Sequence, residues 1–449
     1  MCALIVNLKA IPQNTAQVQP GPTQPSLWQR VGLLATTALL LKGLLLLFVP
    51  ATPSEHFHIL VPCLWITDFC YYQRHTTKPA WGLVVGAACA VFLFMWQLIG
   101  WQANALGGRV DWREPLWWLL FLCSLAVLYM LLHAALAWLF ELVPAVKDRM
   151  DAPGGWWLRL GQKGLAIIIF APYVFTTCNV HRFKIAGATS PQRAYNYSYE
   201  TVQFRAAEDN VPLSGWYIPC QKSDTTVLLC HGIGANKGNF LNFVPLLHDA
   251  GFNVFIFDFR GHGDSAGHTI SFGYYEARDV RGAVAYLCQR HEIKHILAYA
   301  FSMGGSALLH AMPNLPMVQG VVVDSTFADI TTVLEHQMAF LPLGFNHLMP
   351  RLVDFYTRLE LGIPLASVAP RRHIAVISPR PLLIIHGRAD SLIPFSEAQR
   401  NYAAAGEPKQ LWLINGANHI EASSIDPDEY QRRVTQFLWG CVHTNKQLH

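Results

Sequence analysis

Residues Ile296-Leu297-Ala298-Tyr299-Ala300-Phe301-Ser302-Met303-Gly304-Gly305 decide how the rest of the chain is read. An apolar run with the composition of a buried strand stops at Ser302, and small residues then open a helical segment. That is the pattern of a strand-to-helix elbow, a turn sharp enough to hold a serine hydroxyl clear of its sheet. The general form is Gly-x-Ser-x-Gly. Here Ala300 replaces the first glycine, adding one methyl where the turn requires small side chains. A five-residue pattern also occurs at ordinary strand–turn–helix junctions, so its meaning depends on partners downstream.

From about Tyr199 the chain alternates short apolar runs with amphipathic stretches. Strands are expected at 201–204, 213–217, 226–230, 253–257, 296–301, 318–324, 381–386 and 410–414. Helices are expected at 240–250, 276–290, 304–312, 396–405 and 428–439. Such alternation predicts an α/β domain with a mostly parallel sheet covered on both faces. Ligands in that architecture bind at the carboxyl ends of the strands.

Two further residues belong to that rim. The strand Pro381–His386 stops at Gly387, which puts Asp390 in the loop beyond it. The strand ending at Ile414 is followed by Asn415-Gly416-Ala417-Asn418-His419, which puts His419 there too. The order Ser302, Asp390, His419 fits a serine nucleophile with its base and the acid that orients the base. A serine hydroxyl is a weak nucleophile at neutral pH and needs an adjacent base. Imidazole titrates near neutrality and can take and return a proton, while a carboxylate fixes its tautomer. For the developing oxyanion, the glycine-rich turn His231-Gly232-Ile233-Gly234 follows the strand that ends at Cys230. The backbone N–H groups of Ile233 and Met303 are the candidate donors.

These motifs, with Phe257-Asp258-Phe259-Arg260-Gly261-His262-Gly263-Asp264-Ser265, resemble the α/β-hydrolase superfamily over residues 199–439. Within it the resemblance is to membrane-anchored serine hydrolases of the ABHD type. The resemblance implies an α/β-hydrolase fold over residues 195–445 and ester or thioester hydrolysis without a cofactor. It is silent about a multi-span front. The segment 326–378, rich in Leu, Phe, Met and Pro, is expected to form a small helical cap offering an apolar acyl pocket toward the bilayer.

Composition speaks for that front. The 449 residues are 52% hydrophobic and only 14% charged, against about 25% charged in soluble domains. Residues 1–29 are polar and read as a flexible lead. Residues 30–181 read as a transmembrane region of four or five spans, with candidates at 31–50, 57–72, 80–101, 115–144 and 164–180. Lys42, Asp68 and Glu141 lie within or beside these spans, where ionisable groups need protein, water or a counter-charge. Lys147, Arg149, Arg159 and Lys163 in the last inter-span loop favour an extracytoplasmic catalytic domain. Arg182 and Lys184, just beyond the last span, argue the other way.

A net charge of +4 leaves no nucleic-acid footprint. Ten cysteines without Cys-x-x-Cys and 19 histidines without His-Glu-x-x-His give no metal site. Arg260, His262, Asp264 and His231 are expected to hold loops, His386 to end a strand, and Lys237 to be solvated. Asp324 also ends a strand, but one strand too early for the acid. The functional expectation is a membrane-bound serine hydrolase acting on acyl esters or thioesters. The alternatives are an acyltransferase or serine peptidase with the same three residues, and a non-catalytic membrane scaffold.

Overall fold

The computed structural model describes residues 108–110, 132, 135, 136, 139, 140, 142–152, 154–182, 184–187, 189–342 and 344–446. The lead at 1–29, the span candidates before residue 115, most of the 115–144 span, and Lys42, Asp68 and Glu141 lie outside them. Among the described residues, one helix is long and apolar enough to cross a membrane. This is α2 (Trp156–Val180), which follows α1 (Pro144–Asp151) and begins eight residues before the expected start at 164. Pro172 sits inside α2; the Thr176 hydroxyl, one turn on, bonds the Pro172 carbonyl at 2.8 Å.

A short antiparallel pair, β1 (Gly108–Val110) with β2 (Ile185–Gly187), and the short helix α3 (Pro191–Tyr195) precede the main sheet. That sheet has eight strands: β3 (Glu200–Arg205), β4 (Pro212–Ile218), β5 (Thr225–Cys230), β6 (Asn253–Phe257), β7 (His295–Phe301), β8 (Val318–Asp324), β9 (Leu382–Gly387) and β10 (Lys409–Ile414). Their spatial order is β10-β9-β8-β7-β5-β6-β4-β3. β3 pairs antiparallel with β4, and β4 with β6; all the other pairs are parallel. All eight expected strands are present, within a residue or two at each end.

The apolar runs alternate between two faces, as a period-2 strand requires. On β7, Ile296, Ala298 and Ala300 join one core with α5 (Glu276–Cys288) and α6 (Met303–Ala311). Leu297, Tyr299 and Phe301 join the other, with α4 (Val244–His248) and Tyr430, Val434 and Leu438 of α11 (Pro427–Lys446). The helix expected at 240–250 is instead a 3₁₀ turn, Leu241–Phe243, continued by the five-residue α4 with Pro245 in its first turn.

The insert after β8 folds as α7 (Ile330–Gln337), α8 (Phe345–Leu361) and three 3₁₀ turns. The helices α9 (Ser396–Ala404) and α10 (Ala422–Ile425) complete the domain. The insert packs on α2: Tyr356 donates to the Ile169 carbonyl at 3.0 Å, and Thr177 to Glu360. Among the described residues Cys178, Cys220, Cys230, Cys288 and Cys441 are free thiols.

Candidate active site

Chain direction creates the site. After β5 the chain crosses toward β6, and after the adjacent β7 it crosses toward β8, so the two connections diverge and leave a crevice at the strand ends. Cys230 of β5 is in register with Ala300 of β7, so both loops leave the sheet at one level.

Ser302 sits at the turn with φ 51° and ψ −120°, a conformation disfavoured for a side chain with a Cβ. The close packing around it explains the small neighbours. A Cβ on Gly304 would lie 2.4 Å from the His231 carbonyl oxygen, and one on Gly232 3.3 Å from the Ser302 Cβ. The glycine-rich loop after β5 and the elbow therefore touch.

The structure brings the three separated residues together. His419 Nε2 lies 3.1 Å from Ser302 Oγ, and His419 Nδ1 lies 2.8 Å from Asp390 Oδ2. Burial raises the Asp390 pKa, but hydrogen bonds from His386 and His419 and the Ile393 N–H override it and hold the carboxyl well below the usual range. An ionised carboxylate only accepts, so the proton stays on Nδ1 and the Nε2 lone pair faces the serine hydroxyl. His386 was expected merely to end its strand. It is a second buried imidazole on Asp390, 3.3 Å from Oδ2, and no local motif marks that contact.

Ile233, in the loop after β5, and Met303, the first residue of α6, both border one cavity. The Met303 N–H is among the four that a helix leaves without an internal acceptor. The cavity holds about 150 Å³ and its other walls are mainly apolar, with Phe175 of α2, Ile330 and Val333 of α7 and Val353 of α8, while Thr176, Asn179, Arg182, Gln337 and Thr357 are its polar members. A cavity of that size accepts a benzene-sized group. The insert thus lines the space beside Ser302. So does the end of α2, which sequence reasoning treated only as a span.

The remaining polar residues lock the surrounding loops. The His231 Nε2 accepts from Phe259 N–H at 3.1 Å, and the His262 Nε2 from Gly234 N–H at 3.0 Å. Burial lowers their pKa values to about 4 and about 3, so both rings are neutral at pH 7. Arg260 pairs with Asp209 and Asp279. Lys237 corrects the expectation of a solvated side chain: it is 1% exposed and paired with both Asp258 and Asp264. Asp324 is buried, bonded to the hydroxyls of Tyr430 and Ser325, and makes no hydrogen bond to His419. Among the described residues no group of His, Cys, Asp and Glu could hold a metal ion.

Comparison with known proteins agrees with this architecture. Residues 221–362 match the Hydrolase_4 family model, described as serine aminopeptidase, S33. The uncharacterised protein YfhR of Escherichia coli K12 is 30% identical over 257 residues, which span 55% of this chain and 83% of YfhR. The chain belongs to the α/β-hydrolase superfamily. An uncharacterised membrane protein of Saccharomyces cerevisiae is 28% identical to this hydrolase over 133 residues, 29% of this chain and 46% of the yeast protein. Among solved structures, the esterase Pf2001 of Pyrococcus furiosus is 27% identical, with a TM-score of 0.49, covering 58% of this chain and 97% of that one.

Proposed function

We propose that this hydrolase is a membrane-bound serine esterase or thioesterase of the ABHD type. Ser302 is its nucleophile, His419 its base and Asp390 the acid that orients the base. The observation that carries the reading is the bonded series Ser302–His419–Asp390, with Met303, the residue after Ser302, and Ile233 bordering a mainly apolar cavity. Ser302 Oγ attacks the acyl carbonyl while His419 Nε2 takes its proton. The carbonyl oxygen, now an oxyanion, accepts from the N–H groups of Ile233 and Met303. The C–O or C–S bond breaks, His419 protonates the leaving group, and water releases the acyl group by the reverse sequence.

The family description raises a peptidase as the second reading. Capture of a free N-terminal amine calls for a carboxylate near the scissile bond. No acidic side chain lines the cavity among the described residues, and its one charged group, Arg182, would repel an ammonium. This favours an acyl substrate.

The membrane part of the proposal rests on α2 and the insert. α2 exposes Trp156, Trp157, Leu160 and Ile167, while α8 exposes Phe355 and Leu359. Large exposed apolar patches mark interaction surfaces, and here the last turns of the same helix wall the cavity. A lipid-like acyl chain would reach Ser302 from the bilayer side. The basic residues at 147–163 favour a catalytic domain outside the cytoplasm, against Arg182 and Lys184; a reporter fused at the carboxyl terminus tests it.

Chain-length series of 4-nitrophenyl esters, assayed beside aminoacyl 4-nitroanilides, test the substrate class. Esters are expected to dominate, and Val353→Trp to shift the optimum toward shorter acyl chains. Preferential cleavage of the anilides would reject the esterase reading.

A further inference from the structure

Arg182 lies two residues beyond α2 and is half-buried in the cavity wall. Its Nη2 donates to Asn179 Oδ1 at 2.7 Å, and its buried Nε has no partner among the described residues. Among those residues no carboxylate pairs with it within 4.0 Å. The neighbouring loop cations differ in this respect. Arg260 meets Asp209 and Asp279, and Lys237 meets Asp258 and Asp264. A desolvated guanidinium without a counter-ion is unfavourable, and a bound anion would offset that penalty.

Position gives the anion a role. A Cβ on Gly234 would lie 3.2 Å from Arg182 Nη1, so the guanidinium abuts the oxyanion loop itself. Gly234, with φ +72° and no side chain, leaves room for it. A substrate whose carbonyl rests on the Ile233 N–H therefore presents its nearby atoms to Arg182. The planar fork of a guanidinium matches a carboxylate or a phosphate.

We propose that Arg182 forms an anion-binding subsite, and that the preferred substrates are acyl esters or thioesters carrying a carboxylate or phosphate group close to the scissile bond. This rests on the esterase reading above. The charge could belong to the acyl part or to the leaving group, and the probes separate the two. 4-Nitrophenyl butyrate is neutral, 4-nitrophenyl hemisuccinate carries the charge on the acyl side, and 4-butyryloxybenzoate carries it on the leaving group.

For Arg182→Gln, the ratio of kcat/KM on at least one anionic probe to that on the neutral probe is expected to fall roughly 10- to 100-fold, the range for hydrogen bonds to charged groups. Arg182→Lys should recover part of the ratio. An unchanged ratio for both anionic probes overturns the proposal. Should the variants fail to fold, the wild-type protein decides. Its preference for an anionic probe must weaken as salt rises from 0.05 to about 0.5 M, and a preference indifferent to salt, or absent, overturns the subsite. Calorimetric binding of hexanoate to Ser302→Ala separates this proposal from the esterase reading, because it needs no turnover. Binding that disappears in Ser302→Ala/Arg182→Gln supports the subsite, whereas equal affinity in both proteins overturns it. A wild-type protein that cleaves no ester, while Ser302→Ala still binds hexanoate through Arg182, would sink the esterase reading and leave the anion subsite standing.

Discussion

The ends of β8 and β9 lie side by side, and each carries a buried aspartate with a different fate. Asp324 accepts hydrogen bonds from the hydroxyls of Tyr430 and Ser325, and burial lifts its pKa despite them. Asp390 is also pushed up by burial, but two imidazoles and two backbone N–H groups reverse the effect. Burial alone makes a carboxyl neutral; its partners decide whether it stays charged. The charged aspartate orients His419. The other braces it, because Ser325 Oγ bonds Asp324 and accepts from the N–H of Ile420, the residue after His419.

The sharpest way to break this contrast is to neutralise each acid in turn. Asp390→Asn is expected to lower kcat by about 10⁴-fold, the loss typical when the orienting acid of such a series is amidated. Asp324→Asn, which removes a brace, should lower kcat by about tenfold or less while reducing thermal stability. Equal losses would show that the two ends are not distinct.

Removing a donor should have the next largest effect. Replacing Met303 by its α-hydroxy-acid analogue turns the Ser302–Met303 amide into an ester and deletes one N–H while keeping the side chain; proline would clash with Ser302, whose ψ is −120°. A fall in turnover of about 10²–10³ with the thermal transition retained would support the Met303 donor; an unaltered rate would exclude it. Gly304→Ala should act through packing, since its Cβ would press on the His231 carbonyl. A loss of about 1–3 kcal/mol is expected in chemical denaturation, as for other overpacked sites.

The smallest effects lie in the pH dependence of stability, and there the two aspartates should diverge in sign. Asp390 has a depressed folded pKa, so its contribution is present above its ordinary value of 3.8 and is lost as pH falls through the folded value. Asp324 has a raised folded pKa, so its contribution is present below 3.8 and is lost as pH rises through the folded value. Denaturation of each Asn variant beside the wild type, between pH 7 and pH 3, should show the two differences moving in opposite directions. His231 and His262, kept neutral by burial, add a general loss of stability as pH falls from about 6.5 toward 4.

The sheet was legible because strands buried on both faces leave continuous apolar runs such as Val227–Cys230 and Val321–Val323. Ser302, Asp390 and His419 could be singled out because each follows such a run at a glycine-marked turn. What escaped reading depends on distant closure. Nothing local to Lys237 shows that carboxylates 21 and 27 residues later fold over it. Arg182 read as a charge flanking a span, because its cavity is assembled from an insert more than 140 positions downstream. The helix expected at 240–250 shortened because Pro245, which has no N–H to continue a helix, takes the first turn of a new one. His386 had only its strand position to describe it.

The central claim is that Ser302 is activated by His419, and a fluorophosphonate probe tests it on the intact protein. Peptide mapping by mass spectrometry should find a single adduct on Ser302, strongly reduced in His419→Ala and absent from a folded Ser302→Ala. A folded wild-type protein that takes no label, or takes it at another serine such as Ser325, would contradict the account.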